Sequence, residues 1–149
     1  MTTINATKTS SPSRPSNIGA SANLPRQLPL IGTGFPEIQH AFPGTINLRL
    51  EKPLLAMGYD HRTAPIKWQP DESPPETFDF VRVKFEARGS IVDCWLYIPH
   101  GSPHRRDLCS HEIITPAQLQ ISDGDRCVLH IPRQCVSMPY AEFPVIVIV

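Results

Sequence analysis

The chain has 149 residues, of which 19% are charged, and its formal net charge is zero. That length suits one domain with a core of its own, and the neutral balance argues against a general nucleic-acid binder, whose affinity rests on phosphate contacts. Seventeen prolines against eight glycines argue against long helices, because each proline removes a donor and clashes with the preceding turn.

Residues 1–29 are rich in Ser, Thr, Asn and Pro and carry no acidic residue. Such a segment buries too little apolar surface to offset its ordering entropy, so it is expected to be a disordered tail. A transit peptide would share the composition but would carry more arginine. There is no apolar h-region at the N-terminus, and no apolar run long enough to cross a bilayer. Cys94, Cys109, Cys127 and Cys135 form no CxxC pair. Together these features read as reduced thiols in a cytoplasmic protein without membrane contact.

From residue 30 to residue 149 the pattern is strand-like and is assigned to one barrel domain. "TINLRL", Thr45 to Leu50, alternates with period two. "DHRTAPIKWQPDESPPET", Asp60 to Thr77, reads as a proline-rich loop. "FDFVRVKFEA" and "SIVDCWLYI" flank the turn signal Arg88-Gly89 and predict a hairpin. "HEIIT" is a short strand, and "PAQLQI", Pro116 to Ile121, reads as one turn of helix because proline suits a first helical position. "SDGD" is a turn into the strand "RCVLHI", and the last strand spans Phe143 to Val149. No helical pattern supports repeated βαβ crossovers. The expectation is all-β: a small, mostly antiparallel barrel with one short helix.

"FPGTINLRL", Phe42 to Leu50, carries the most chemistry. In a strand, Thr45, Asn47 and Arg49 share one face, and Ile46, Leu48 and Leu50 share the other. A hydroxyl and an amide in a row after a Pro-Gly turn offer hard oxygen ligands of the kind Mg²⁺ accepts. The structural alternative is an ordinary half-exposed strand. His100, His104, Cys109 and His111 lie close in sequence, but no pair has a zinc-finger spacing. Arg105 and Arg106 suit a phosphate clamp, or a solvated surface pair. Trp68 and Trp95 read as core or lid aromatics rather than stacking platforms, and Cys94 as a buried small hydrophobe.

"FPGTINLRL" also resembles the PGTLN signature of the archaeal CTP-dependent riboflavin kinases. "YIPHGSPHRRDLCSHEIITPAQLQISDGDRCVLHI", Tyr97 to Ile131, resembles a second block of that family, a Glu-x-Ile-x-Pro segment followed by a short helix and a Gly-Asp turn. The resemblance implies a six-stranded cradle-loop barrel. It implies transfer of the CTP γ-phosphoryl group to the riboflavin 5′-hydroxyl, giving FMN and CDP. By that likeness Thr45 and Asn47 match Mg²⁺ ligands, and Glu112 matches a carboxylate at the ribityl end that orients or deprotonates the attacking hydroxyl. Ser102, or else His104, falls where the family contacts flavin. Ala117, Gln118, Leu119 and Gln120 match a nucleotide-contacting turn, and Gly44 of the PGTxN turn is matched to nucleotide binding as well. The family's glycine-rich nucleotide loop is matched only by Gly32, Thr33 and Gly34 in "GTGFPE". In place of the family's helix between that loop and PGTxN stands only "IQHAF". The chain thus reads as a relative with a shortened nucleotide-loop region.

Three functions follow from this reading. The first is the phosphotransferase, with Arg105 or Arg106 helping to hold the triphosphate. The second is a flavin- or nucleotide-binding barrel without catalysis. The third is a swapped-hairpin DNA-binding relative, which the zero net charge disfavours.

Overall fold

The computed structural model describes residues 1–10, 20–100, 107–140 and 143–149. Its centre is a closed barrel of six antiparallel strands. They are β1 (Thr2–Thr9), β2 (Thr45–Leu50), β5 (Phe78–Ala87), β6 (Ser90–Pro99), β7 (Ser110–Ile114) and β8 (Arg126–Ile131). Their order is β5-β6-β7-β2-β1-β8, and a β5–β8 pairing closes the ring. The two-residue strand β4 (His61–Arg62) adds to the outside edge of β5. A separate three-stranded sheet holds β3 (Leu54–Ala56), β10 (Phe143–Ile148) and β9 (Cys135–Tyr140), in the order β3-β10-β9.

The longest pairing is the β5–β6 hairpin, and its register runs from Phe78↔Pro99 to Ala87↔Ser90. Arg88 and Gly89 close it with φ of 50° and 77°. Positive φ at both loop residues matches the right-handed twist of the strands, so the Arg88-Gly89 signal does what the sequence predicts. Alternation along these strands divides the apolar residues between two cores. Leu48, Val81, Val83, Phe85, Cys94, Leu96, Ile113 and Leu129 fill the barrel interior. Phe78, Phe80, Trp95, Tyr97 and Ile114 form a second cluster on the outside of the same strands. Each fully buried large apolar side chain contributes about 1.5–3 kcal/mol.

What covers that outer cluster departs most from the sequence reading. Of the expected tail, residues 11–19 lie outside the described residues, and the described parts on either side form a strand and a helix. Thr2–Thr9 is a strand inside the barrel wall, paired with β2 on one side and β8 on the other. Its alternation is sparse, with only Ile4 and Ala6 buried, and most of its attachment is backbone hydrogen bonding, which composition does not reveal. Ala20–Gly34 is the helix α1, despite Pro25 and Pro29 inside it. Leu24, Leu28 and Ile31 recur at helical spacing, and all three are buried together with Phe35. Both prolines lie on the exposed side, so burial of the apolar stripe outweighs the backbone bonds they remove.

The helix expected at Pro116–Ile121 is absent. Those residues run as a bend and extended chain, with Leu119 and Ile121 packed against the interior core. Two apolar side chains at spacing two serve an extended segment better than a helical turn. After α1, a single 3-10 turn at Pro36–Ile38 is fixed to the barrel through Glu37. Its carboxylate accepts from Trp95 Nε1 at 2.7 Å and from Arg82 Nε at 2.8 Å.

Candidate functional site

Strand β2 forms over Thr45–Leu50, the span its alternation predicts. Leu48 and Leu50 are buried in the barrel, and Arg49 is exposed on the other face. Thr45 and Asn47 are on that outer face, partly buried. The neighbouring strand β7 pairs with β2 so that Asn47 lies opposite Glu112 and Thr45 opposite Ile114. Thr45 Oγ1 donates to Glu112 Oε1 at 3.0 Å. Residues 67 positions apart thus meet on one patch.

Glu112 is also opposite Tyr97 of β6. Tyr97 is buried beneath α1, and its hydroxyl donates to Gln27 Oε1 at 2.5 Å. Burial pushes the Tyr97 hydroxyl well above its ordinary pKa, and the nearby charges of Glu112 and Glu76 push it further. Burial likewise raises the Glu112 carboxyl, and the Thr45 hydroxyl offsets only part of that effect. Among the described residues no cation pairs with Glu112. A half-buried carboxylate held by one hydroxyl is a competent proton acceptor and a natural neighbour for a bound cation.

The Mg²⁺ implied by the family resemblance fits this donor set. Thr45 supplies a hydroxyl, Asn47 an amide oxygen and Glu112 a carboxylate, all hard ligands. Among the described residues no group of three or more His, Cys, Asp and Glu lies together. The histidines near this segment have other partners. His111 Nε2 is 2.9 Å from the Leu108 carbonyl oxygen and 3.1 Å from that of Leu54. His100 Nε2 is instead 2.7 Å from Asp79 Oδ2.

Gly32, Thr33 and Gly34 do not form a phosphate-cradling loop. They are the last turn of α1, and a Cβ at Gly32 would meet Gln39 Cα at 3.2 Å. The glycine lets the helix end pack against the 3-10 turn that follows. Gly44 is small for a similar reason, since a Cβ there would come within 2.9 Å of the Phe42 ring. Ala117, Gln118 and Gln120 are exposed on the extended segment after β7, and Leu119 faces the core. The Thr115 carbonyl of that segment accepts from Phe42 N at 3.0 Å, which ties it to the PGTxN turn. Ser102, His104, Arg105 and Arg106 lie outside the described residues. Cys94 is the buried small hydrophobe expected, its thiol pushed up to about 12 by burial, and all four cysteines are free.

Sequence reasoning missed Gln27, Tyr97 and Glu76. Gln27 fell in the presumed tail, and Tyr97 sat in an apolar run that reads as core. Glu76 fell in the proline-rich loop. No helix among the described residues is long and apolar enough to cross a membrane.

The fold and this patch define a closed six-stranded antiparallel barrel with a half-buried carboxylate, a hydroxyl and an amide on its outer wall. No family model matches the sequence, and no curated protein matches it either.

Proposed function

We propose that the protein is a phosphotransferase that moves the γ-phosphoryl group of CTP to the 5′-hydroxyl of riboflavin. One observation carries this reading: Thr45, Asn47 and Glu112, drawn from two distant sequence blocks, meet across β2 and β7. The family likeness asks for these three residues together. Between the Gly32–Gly34 match and PGTxN, where the family likeness asks for a helix, the chain has only the 3-10 turn Pro36–Ile38.

In the reaction the riboflavin oxygen attacks the γ-phosphorus, the bond to the bridging oxygen breaks, and CDP leaves. Glu112 accepts the hydroxyl proton, a role its raised proton affinity suits. Thr45 fixes the carboxylate through its hydrogen bond, so little reorganisation accompanies the transfer. Mg²⁺, held by Thr45 and Asn47, would neutralise charge on the β- and γ-phosphates.

A second reading, a barrel that binds flavin or nucleotide without catalysis, draws on the helical conformation of Gly32–Gly34, which removes the segment matched to the triphosphate. One experiment separates the two. The protein is incubated with riboflavin, Mg²⁺ and each of CTP, ATP, GTP and UTP, and FMN is sought by chromatography. FMN with CTP is the expected result. Flavin binding with no FMN from any nucleotide would select the binding barrel.

A further inference from the structure

The outer cluster holds a second carboxylate that the reaction above does not use. Glu76 is half-buried at the end of the loop joining β4 to β5. It accepts from Trp68 Nε1 at 2.8 Å, and His100 acts on it electrostatically. Burial raises its carboxyl above the ordinary range, and the Trp68 hydrogen bond offsets part of this. Carboxylates on an apolar face are costly unless a partner satisfies them. This face carries two, Glu112 and Glu76, both close enough to Tyr97 to act on it electrostatically.

The loop is built as a self-contained flap. Ile66 and Glu76 close its neck through two backbone hydrogen bonds of 2.8 Å. Inside the neck Lys67 Nζ donates to the Asp71 and Ser73 carbonyls at 2.5 Å. Its apolar attachment to the barrel is through Ile66 and Trp68, which pack on the cluster containing Phe78, Tyr97 and Ile114. Trp95, by contrast, is buried and tied to Glu37. The two tryptophans therefore differ: Trp95 is core, and Trp68 is a lid residue on a segment with few anchors.

We propose that the loop from Ile66 to Glu76 is the lid of the Glu112 site, and that Trp68 covers the planar ring of the bound substrate while Glu76 holds the indole in place. Two acceptor carboxylates beside a tryptophan suit a ligand that joins a planar ring to a hydroxyl-rich chain. Riboflavin belongs to that class, and the assignment rests on the kinase reading above.

The test is titration of riboflavin, followed by its own fluorescence, which a stacked indole quenches and a phenylalanine does not. Wild type, Trp68→Phe, Trp68→Leu and the control Trp95→Phe are compared, with thermal melting as the check of folding. Trp68→Phe is expected to bind riboflavin at least about tenfold more weakly and without quenching, with Mg²⁺–CTP affinity unchanged. Trp95→Phe is expected to behave as wild type. If Trp68→Leu does not fold, the phenylalanine variant decides alone. Unchanged riboflavin affinity and quenching in Trp68→Phe would overturn the lid while leaving the kinase reading intact. Equal weakening toward riboflavin and CTP would assign Trp68 to structure and also overturn it. Wild type that binds no riboflavin would overturn both.

Discussion

Thr45 and Glu112 are joined by a 3.0 Å hydrogen bond between neighbouring barrel strands, and the Thr45 hydroxyl opposes the effect of burial on that carboxyl. Glu112→Gln keeps the shape and the acceptor for Thr45 but removes the base. FMN formation is expected to fall by about 10²–10⁴, the range for a lost general base. The stability profile carries a separate sign. Folding raises the Glu112 pKa, so the folded state holds the proton more tightly than the unfolded one. Wild-type stability therefore declines as pH rises from the ordinary glutamate value through the raised one, and then levels off. Denaturant melts from pH 4 to pH 8 should show that component missing in Glu112→Gln; parallel profiles would remove Glu112 from the group of strained carboxylates.

Asn47→Leu tests the metal assignment. The side chains are similar in size, and only the wild type offers an oxygen. Calorimetric titration of CTP with and without Mg²⁺ should show Mg²⁺-dependent binding weakened roughly tenfold, about 1.4 kcal/mol. A purely structural strand would tolerate leucine at this half-buried position with no change in nucleotide binding.

Strand β1 is expected to be indispensable. Ile4 is 2% exposed in the barrel core, so Ile4→Ala should cost about 2–5 kcal/mol in denaturant unfolding. Deleting residues 1–9 removes the strand between β2 and β8 and leaves two unpaired edges. Loss of cooperative melting is the expected outcome. A change within about 0.5 kcal/mol, the scale for surface sites, would mean that the strand does not contribute to the barrel.

Asp79, near the start of β5, pairs with Arg62 and His100. Burial alone would raise its pKa, but hydrogen bonds from Arg62 at 2.7 and 2.8 Å, with His100 at 2.7 Å, hold it below the ordinary 3.8. A depressed carboxyl contributes stability above its unfolded pKa and loses it as pH falls through the folded value. Asp79→Asn should therefore cost about 1.5–3 kcal/mol at pH 7, the scale for hydrogen bonds to charged groups. That difference should shrink as wild type is acidified below 3.8. Acid titration of both proteins by circular dichroism checks it, and a gap that persists at the acid end would point to packing instead.

The alternation of "TINLRL", the aromatic run of β5 and the Arg88-Gly89 turn were readable because each is a local statement. Period two sets which face is buried, and positive φ sets the turn, before any distant residue is involved. These features determined the all-β class, the hairpin and the inward side of β2. Only the tertiary structure decided the rest. "TTINATKT" becomes a strand because β2 and β8 supply backbone partners on both sides, and no composition records a partner's position. Ala20–Gly34 becomes a helix because its apolar stripe has an outer barrel face to cover, which outweighs two prolines that argue against it locally. The pairing of Asn47 with Glu112, and the placing of Tyr97 beside Glu112, are matters of strand order and register. Register is fixed by the sum of contacts around the closed barrel, so it exists only once the chain has closed on itself.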